Sequence, residues 1–439
     1  MPSEISPAAP VFATKTIEKV GHYRWTICGL LFFATTINYM DRQILGLLKP
    51  LLMQDLGWTE TDFGDIVAVF SLMYAFGYAG MGRFMDKVGI KIGLPIAVAG
   101  WSVFAAMHGL MSTVTGFKIA RGGLGIMEGG NFPASISAIR EWFPAKERAL
   151  ATGIFNAGSN IGAVVTPIIL PVLVAAFGWQ VSFLITGCLG FIWVVLWVVL
   201  YEHPEKQRHL SAAERAYIAS DRPAPVVEQK VPWLSLLAYR GTWAYMVGML
   251  MTSPVWWFYL NWVPGYLNKQ FGVNMMAAMA PLATIYFFAD FGSIGGGWLS
   301  SHLIKKGMRT LRARRVAIFT VAACVVPVAL VSQVNHLWIA VGLISLAAAA
   351  HQGFSANLYT LVSDTVPSNA VSSVVGIGGF AGGIWGMFTA LAIGRILDAT
   401  GGNYMVLFLG ASAVYPLAVF IMHLILPKYS RVEMEKMAA

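Results

Sequence analysis

Twelve apolar runs follow one another along the chain, separated by short polar breaks. They lie near residues 25–45, 63–83, 92–111, 115–138, 148–173, 180–201, 241–266, 277–301, 314–333, 337–362, 371–397 and 402–426. About 20 apolar residues coiled as an α-helix match the thickness of bilayer hydrocarbon. The longest polar interruption, from Glu202 to Pro232, splits the runs into two blocks of six. The pattern predicts an all-α membrane protein with twelve transmembrane helices in two six-helix bundles. Residues 1–24 form an N-terminal tail, 25–201 the first bundle, 202–240 a central linker, 241–426 the second bundle and 427–439 a C-terminal tail. Within the linker, LSAAERAYIA reads as a surface helix, with Ser211 and Glu214 spaced as a capping box.

Composition agrees with this pattern. The 439 residues are 57% hydrophobic and only 12% charged, with a mean hydropathy of +0.65. A soluble domain carries about 25% charged residues. The net charge of +9 has a topological origin. Twenty-four of the 30 Lys and Arg residues flank the runs on one side of an even-numbered topology. Basic residues accumulate on the cytoplasmic side of bacterial spans. Both termini are therefore expected in the cytoplasm, and the charge does not argue for nucleic acid. The opposite loops hold little beyond Lys49 and Lys269.

Cys28, Cys188 and Cys324 each lie inside an apolar run, which argues against a disulfide framework. No zinc spacing and no GxxxxGK[ST] string occurs, so no metal, no cofactor and no ATP-driven step is expected. No Ser–His–Asp or HExxH pattern supports an enzyme. The first 25 residues are polar and of mixed charge, unlike a cleaved signal, so the first run is expected to stay as a span.

The two blocks echo each other. Gly82-Arg-Phe-Met-Asp86-Lys87-Val-Gly89-Ile-Lys91 follows the second run. Gly297-Trp-Leu-Ser-Ser301-His-Leu-Ile-Lys305-Lys306 follows the eighth, keeping the glycine and the last basic residue but losing the acid. Parallel six-helix repeats with a site between them make one known transporter layout. The string at Gly82–Lys91 resembles the signature loop of the major facilitator superfamily. Further strings resemble that superfamily's anion:cation symporter family: INYMDRQ at Ile37–Gln43, RGGLGIMEGGNFPA at Arg121–Ala134, REWFPAKERA at Arg140–Ala149 and FYLNWVPGYL at Phe258–Leu267. FFADFGSIGGGWLSS at Phe287–Ser301 and AHQGFSANLYTLVSDTVP at Ala350–Pro367 are similar to its hexuronate-transporter branch. The resemblance implies a monomer in the inner membrane that takes up a small anionic sugar acid with a coupling proton. It also implies a conformational latch at Gly82, Asp86, Lys87, Gly89 and Lys91, substrate contacts at Tyr39, Arg42 and Tyr74, coupling carboxylates at Asp41 and Glu128, and a binding or gating role for Arg121.

The residues carry an argument of their own. Charges inside hydrocarbon are costly and mark function. Asp41, Arg42, Arg121 and Glu128 stand inside predicted spans of the first block. An arginine fork meets a carboxylate with two parallel hydrogen bonds, which makes Arg42 the first candidate for an anion seat. Arg42 also fits a snorkelling arginine at the interface. Arg121 and Glu128, two helical turns apart, share a face, and Gly122, Gly123 and Gly125 between them leave room for a helix or a ligand. The same charges suit a purely structural ion-pair network. Burial raises a carboxyl's affinity for its proton and a neighbouring arginine lowers it, so an arriving anion favours proton binding. In the second block, Asn261 and Gln352 are the chosen hydroxyl-binding amides, near Trp256, Trp257 and Tyr259. Asp290 and His351 stay open between site and packing roles. Rival expectations are another organic anion or an organophosphate antiport.

Overall fold

The computed structural model describes residues 20–220, 236–365 and 371–426. Both tails and the middle of the central linker lie outside the described residues, apart from a few residues before the first helix. Among those described, all regular structure is helical. In chain order the helices are α1 Tyr23–Leu56, α2 Glu60–Val88, α3 Ile90–Met107, α4 Val114–Glu128, α5 Asn131–Trp142, α6 Ala145–Leu200, α7 Ala212–Ala219, α8 Arg240–Phe271, α9 Met279–Lys305, α10 Thr310–Val325, α11 Leu337–Thr365, α12 Val371–Ala399 and α13 Met405–Ile425. α4 and α5 together make one span. α6 makes two, because Gly178 turns the chain at φ 80°. α10 completes its span as the 3-10 helix Val326–Gln333. The twelve expected spans result, with α7 as an extra surface helix. Seven of the segments are long and apolar enough to cross a membrane by composition alone.

Local chemistry sets the helix ends. Gly57 closes α1 in the left-handed region at φ 66°. Thr59 then opens α2 with a full capping box, its hydroxyl accepting from Asp62 N and the Asp62 carboxylate accepting from Thr59 N. At the α6 break, the Trp179 indole donates to Asp55 at 3.1 Å and ties the turn to the end of α1.

Two expectations need correction. The first apolar run was expected to end near residue 45, with Lys49 in a loop. The helix instead runs on to Leu56 through Pro50, and Lys49 is 1% exposed. Its ammonium lies 2.6 Å from Glu60, so the polar end of α1 is shielded by protein rather than by lipid. The capping box at Ser211 is only half made. Ser211 accepts from Glu214 N, but the Glu214 carboxylate reaches the start of α1. There it accepts from Tyr23 N, Arg24 N and the Arg24 guanidinium, which also pairs with Glu147 at 2.8 Å. This ties α7 to the first bundle.

The bundles are α1–α6 and α8–α13. They meet mainly along three helix pairs among the described residues: α1 with α8, α2 with α12, and α6 with α9. An even number of spans puts both chain ends on one side, here called the terminal side. The far side carries the α1–α2 and α12–α13 turns.

Candidate functional site

α1 brings Tyr39 and Arg42 to the middle of the molecule, α2 brings Phe70 and Tyr74, and α4 brings Arg121 and Glu128. The glycines of α4 settle what fills the room beside them. A Cβ on Gly125 would stand 2.7 Å from the Phe70 carbonyl oxygen, so the space admits the backbone of α2. That approach sets Glu128 beside Arg42. The Arg42 Nε donates to Glu128 Oε2 at 2.6 Å, with Glu128 fully buried. Three rings surround the guanidinium: Tyr74 at 4.3 Å, Tyr39 at 5.0 Å and Phe70 at 5.6 Å. Arg121 donates to the Arg42 backbone oxygen at 3.3 Å and lies 5.4 Å from Phe70. The partner of Glu128 is thus Arg42, not Arg121 on its own helix face. With its fork held by a carboxylate and three rings, Arg42 does not snorkel.

The cluster is incompletely satisfied. Among the described residues, Arg42 Nη2, Arg121 Nε, Glu128 Oε1, both Asp41 carboxylate oxygens and both Asn38 amide atoms are buried without a hydrogen-bond partner. Buried polar groups normally find one, and in low dielectric an orphan is costly. Such a concentration in one place is typical of groups reserved for ligand or water.

The facing wall comes from α8 of the second bundle. Trp256, Trp257, Leu260 and Asn261 close, with Tyr39, Arg42, Val67, Phe70 and Arg121, a cavity of about 30 Å³. That is room for about two water molecules. Asn261 donates to the Trp257 carbonyl oxygen at 2.9 Å. Trp257 packs across the interface against Phe70 and Tyr74, with centroids 5.7 and 5.9 Å apart. Behind Trp256, His351 stacks at 5.3 Å and bonds Tyr415 OH at 2.5 Å, and it does not line the cavity.

A model of the family described as Major Facilitator Superfamily matches residues 31–390. The chain belongs to the major facilitator superfamily. It is 30% identical to the hexuronate transporter of Escherichia coli K12, covering 88% of this chain and 90% of that one. It is 31% identical to a probable L-galactonate transporter of the same strain, covering 90% and 87%. A galacturonate transporter of Dickeya chrysanthemi is 32% identical, covering 70% and 89%. Among solved structures, a bacterial homologue of the human lysosomal transporter Spinster, inward-facing and occupied, aligns with a TM-score of 0.68. It shares 19% identity and covers 94% of this chain and 97% of that one, a likeness of fold.

Within this superfamily member, the other expected residues divide. Tyr74 stands behind Arg42 rather than on the cavity wall. Gln352 lies off that wall too, and its amide donates to Asn160 of the first bundle at 3.4 Å. Asp290 keeps one buried carboxylate oxygen without a hydrogen-bond partner among the described residues. At the latch string, Gly89 turns at φ 78° between α2 and α3, Gly82 faces Pro133, and Lys87 is exposed. Lys91 pairs with Glu202 at 2.6 Å, and that hydrogen bond holds the Glu202 carboxyl below its ordinary range. The side chain of Asp86 lies outside what the structure describes. Val67 and Leu260 were not foreseen on the cavity wall, since an aliphatic residue in an apolar run carries no signal. His108 was missed as well: it is buried, stacked on Phe183 at 5.2 Å, with Nε2 unpartnered among the described residues.

Proposed function

We propose that this transporter imports a sugar acid, a hexuronate or a related aldonate, by proton symport with alternating access. One observation supports the reading: a cavity between the bundles has two arginines on one wall and tryptophans with an amide on the other. The arginine seats the carboxylate, the rings cover the apolar face of the sugar, and the amide meets hydroxyls. The relatives named for hexuronate, galacturonate and galactonate support the substrate class. The cavity is much smaller than a sugar acid, so substrate enters only when the bundles part on one side.

Charge arithmetic supports the proton. Asp41, Glu128, Arg42 and Arg121 sum to zero when all four are ionised. A substrate carboxylate leaves one uncompensated negative charge in a low-dielectric site. One co-bound proton restores neutrality. The substrate and Glu128 also compete for one guanidinium, so protonated Glu128 frees Arg42 for the substrate. Asp41 and Glu128 then act as a coupled pair in which the proton belongs to the pair. The basic residues of the terminal side support cytoplasmic termini.

The test is proton uptake on addition of a hexuronate to proteoliposomes, with an imposed sodium gradient as control. Alkalinisation outside and accumulation driven by a pH gradient are expected. Accumulation driven by sodium and indifferent to pH rejects the proton. Uptake that hexuronates do not compete, but a dicarboxylate or an aromatic acid does, moves the substrate to another organic anion. Obligatory exchange against phosphate moves the reading to an antiporter.

A further inference from the structure

α2 and α12 form one of the three main contacts between the bundles and run antiparallel. Each ends in the same string. Gly82-Arg83-Phe84-Met85-Asp86-Lys87-Val88-Gly89 closes α2 on the terminal side. Gly394-Arg395-Ile396-Leu397-Asp398-Ala399-Thr400-Gly401 closes α12 on the far side. Glycine, arginine, aspartate and glycine recur at identical spacing. The last glycine turns in the left-handed region in both copies, at φ 78° for Gly89 and 62° for Gly401. The expected latch string thus has a second copy, in the other bundle and on the opposite face of the membrane.

The second copy is engaged. Asp398 Oδ1 accepts from Glu60 N at 3.0 Å and Oδ2 accepts from Thr61 N at 2.7 Å. A helix opens with four N–H groups that lack intrahelical partners. In α2, Thr59 N goes to the Asp62 carboxylate and Asp62 N to the Thr59 hydroxyl. Asp398, from the other bundle, takes the remaining two. A carboxylate there also meets the positive end of the helix dipole. The backbones touch beside it: a Cβ on Gly64 would stand 2.7 Å from the Ala390 carbonyl oxygen. Beneath it, Lys49 pairs with Glu60 at 2.6 Å and donates to Tyr404 OH of the second bundle at 3.2 Å. Lys269 bonds the Gly401 carbonyl oxygen. Lys49 lies seven residues beyond Arg42, two turns along one face of α1, so this cluster sits about 10 Å outward of the cavity.

We infer that Gly394–Gly401 is a far-side latch, and that Asp398 holds the outer mouth of the cavity shut by capping the first turn of α2 across the bundle interface. The far side opens only when Asp398 leaves Glu60 and Thr61. Asp398 is a positioning residue: it touches no substrate and acts through the bundle contact. The inference rests on the alternating access of the proposed function, but its primary readout needs no substrate.

The experiment uses the full chain in sealed vesicles, with Cys28, Cys188 and Cys324 replaced by Ser and Val67→Cys introduced on the cavity wall. A membrane-impermeant maleimide is applied from the far side. Asp398→Ala should raise the labelling rate about tenfold, the scale of losing hydrogen bonds to a charged group. Asp398→Glu, which keeps the charge, should restore part of the protection. Asp62→Ala loosens the start of α2 from within its own bundle and should leave labelling unchanged. An unchanged rate in Asp398→Ala, or an equal rise in Asp62→Ala, overturns the latch. As a second arm, Thr61→Cys with Asp398→Cys is oxidised to a cross-link. Uptake should stop and return on reduction; full uptake while cross-linked also overturns the proposal. Labelling that behaves as expected in a protein that moves no sugar acid leaves the latch standing and rejects the substrate reading instead.

Discussion

The two walls of the central cavity are built from different chemistry. The first bundle lines it with Arg42 and Arg121, and Glu128 behind them contacts Arg42 at 2.6 Å. The wall from the second bundle supplies rings, an aliphatic residue and one amide, and no charge among its lining residues. Both partners of that ion pair therefore lie inside one bundle. The seam between the bundles at this level is Trp257 packed on the Phe70–Tyr74 pair. Under the proposed function, charge recognition and proton balance belong to one bundle, and the second bundle reads shape. Under the same proposal, a ligand that touches both walls ties their movement to its own binding.

The largest effect is expected at Arg42. Arg42→Lys keeps the charge but loses the planar fork. Substrate affinity should fall by about 1.5–3 kcal/mol, the range for a hydrogen bond to a charged group. Calorimetry on purified protein measures it, and Arg42→Ala with near-normal affinity would place the anion seat elsewhere. The same substitution leaves Glu128 buried and unpaired, so thermal stability is read alongside. Only an affinity loss in protein that still melts cooperatively counts for the comparison.

Next comes Glu128→Gln, which mimics the protonated carboxyl without changing its size. Uphill accumulation should disappear. Binding and exchange of labelled for unlabelled substrate should persist, since exchange moves no net proton. Asp41→Asn is its companion. Uphill transport at full level in both variants would remove the pair from coupling and turn attention to Asp290.

How much of this was legible in the sequence depends on how a signal is carried. A charge inside an apolar run is conspicuous, so Asp41, Arg42, Arg121 and Glu128 stood out at once. Their pairing did not, because Arg42 and Glu128 are 86 residues apart and proximity on α4 pointed to Arg121. Lys49 was assigned to a loop because hydropathy averages over all faces of a helix. A lysine covered by Glu60 and Tyr404 costs little, but a sliding window cannot see its cover. Glu214 shows the same limit: the spacing to Ser211 is local, while the partner that won, the start of α1, is 190 residues away. The twelve spans were legible because length and apolarity are properties of the segment alone.

On the second wall, Trp257→Ala should weaken binding by about 1–2 kcal/mol, the combined scale of lost ring contacts. Trp257→Phe should recover most of it. Since Trp257 also packs on Tyr74, whose ring lies 4.3 Å from the Arg42 guanidinium, part of the loss passes through the first wall. A double-mutant cycle with Tyr74→Phe and Tyr74→Ala separates the two contributions. Strict additivity would mean that the walls act independently and would undo the seam described above.

The smallest effect is expected at Gln352, and it sharpens the comparison by exclusion. Asn261 and Gln352 are both amides in apolar helices and were equal candidates for hydroxyl recognition. The structure separates them by position: Asn261, which donates to the Trp257 carbonyl oxygen, lies on the cavity wall, while Gln352 lies off it and donates to Asn160 across the α6–α11 approach. At 3.4 Å between two neutral amides the bond is long, and its net worth is about 0.5–1 kcal/mol. Gln352→Ala should therefore change substrate affinity less than threefold, whereas Asn261→Ala should lose the hydrogen bond it offers a sugar hydroxyl. The discriminating measurement is affinity for a hexuronate against a deoxy analogue. Asn261→Ala should bind the two alike, because the contact that told them apart is gone. Gln352→Ala should keep the full preference. If Gln352→Ala instead erased the preference, hydroxyl recognition would belong to α11, and the second wall would extend well beyond the rings and amide of α8.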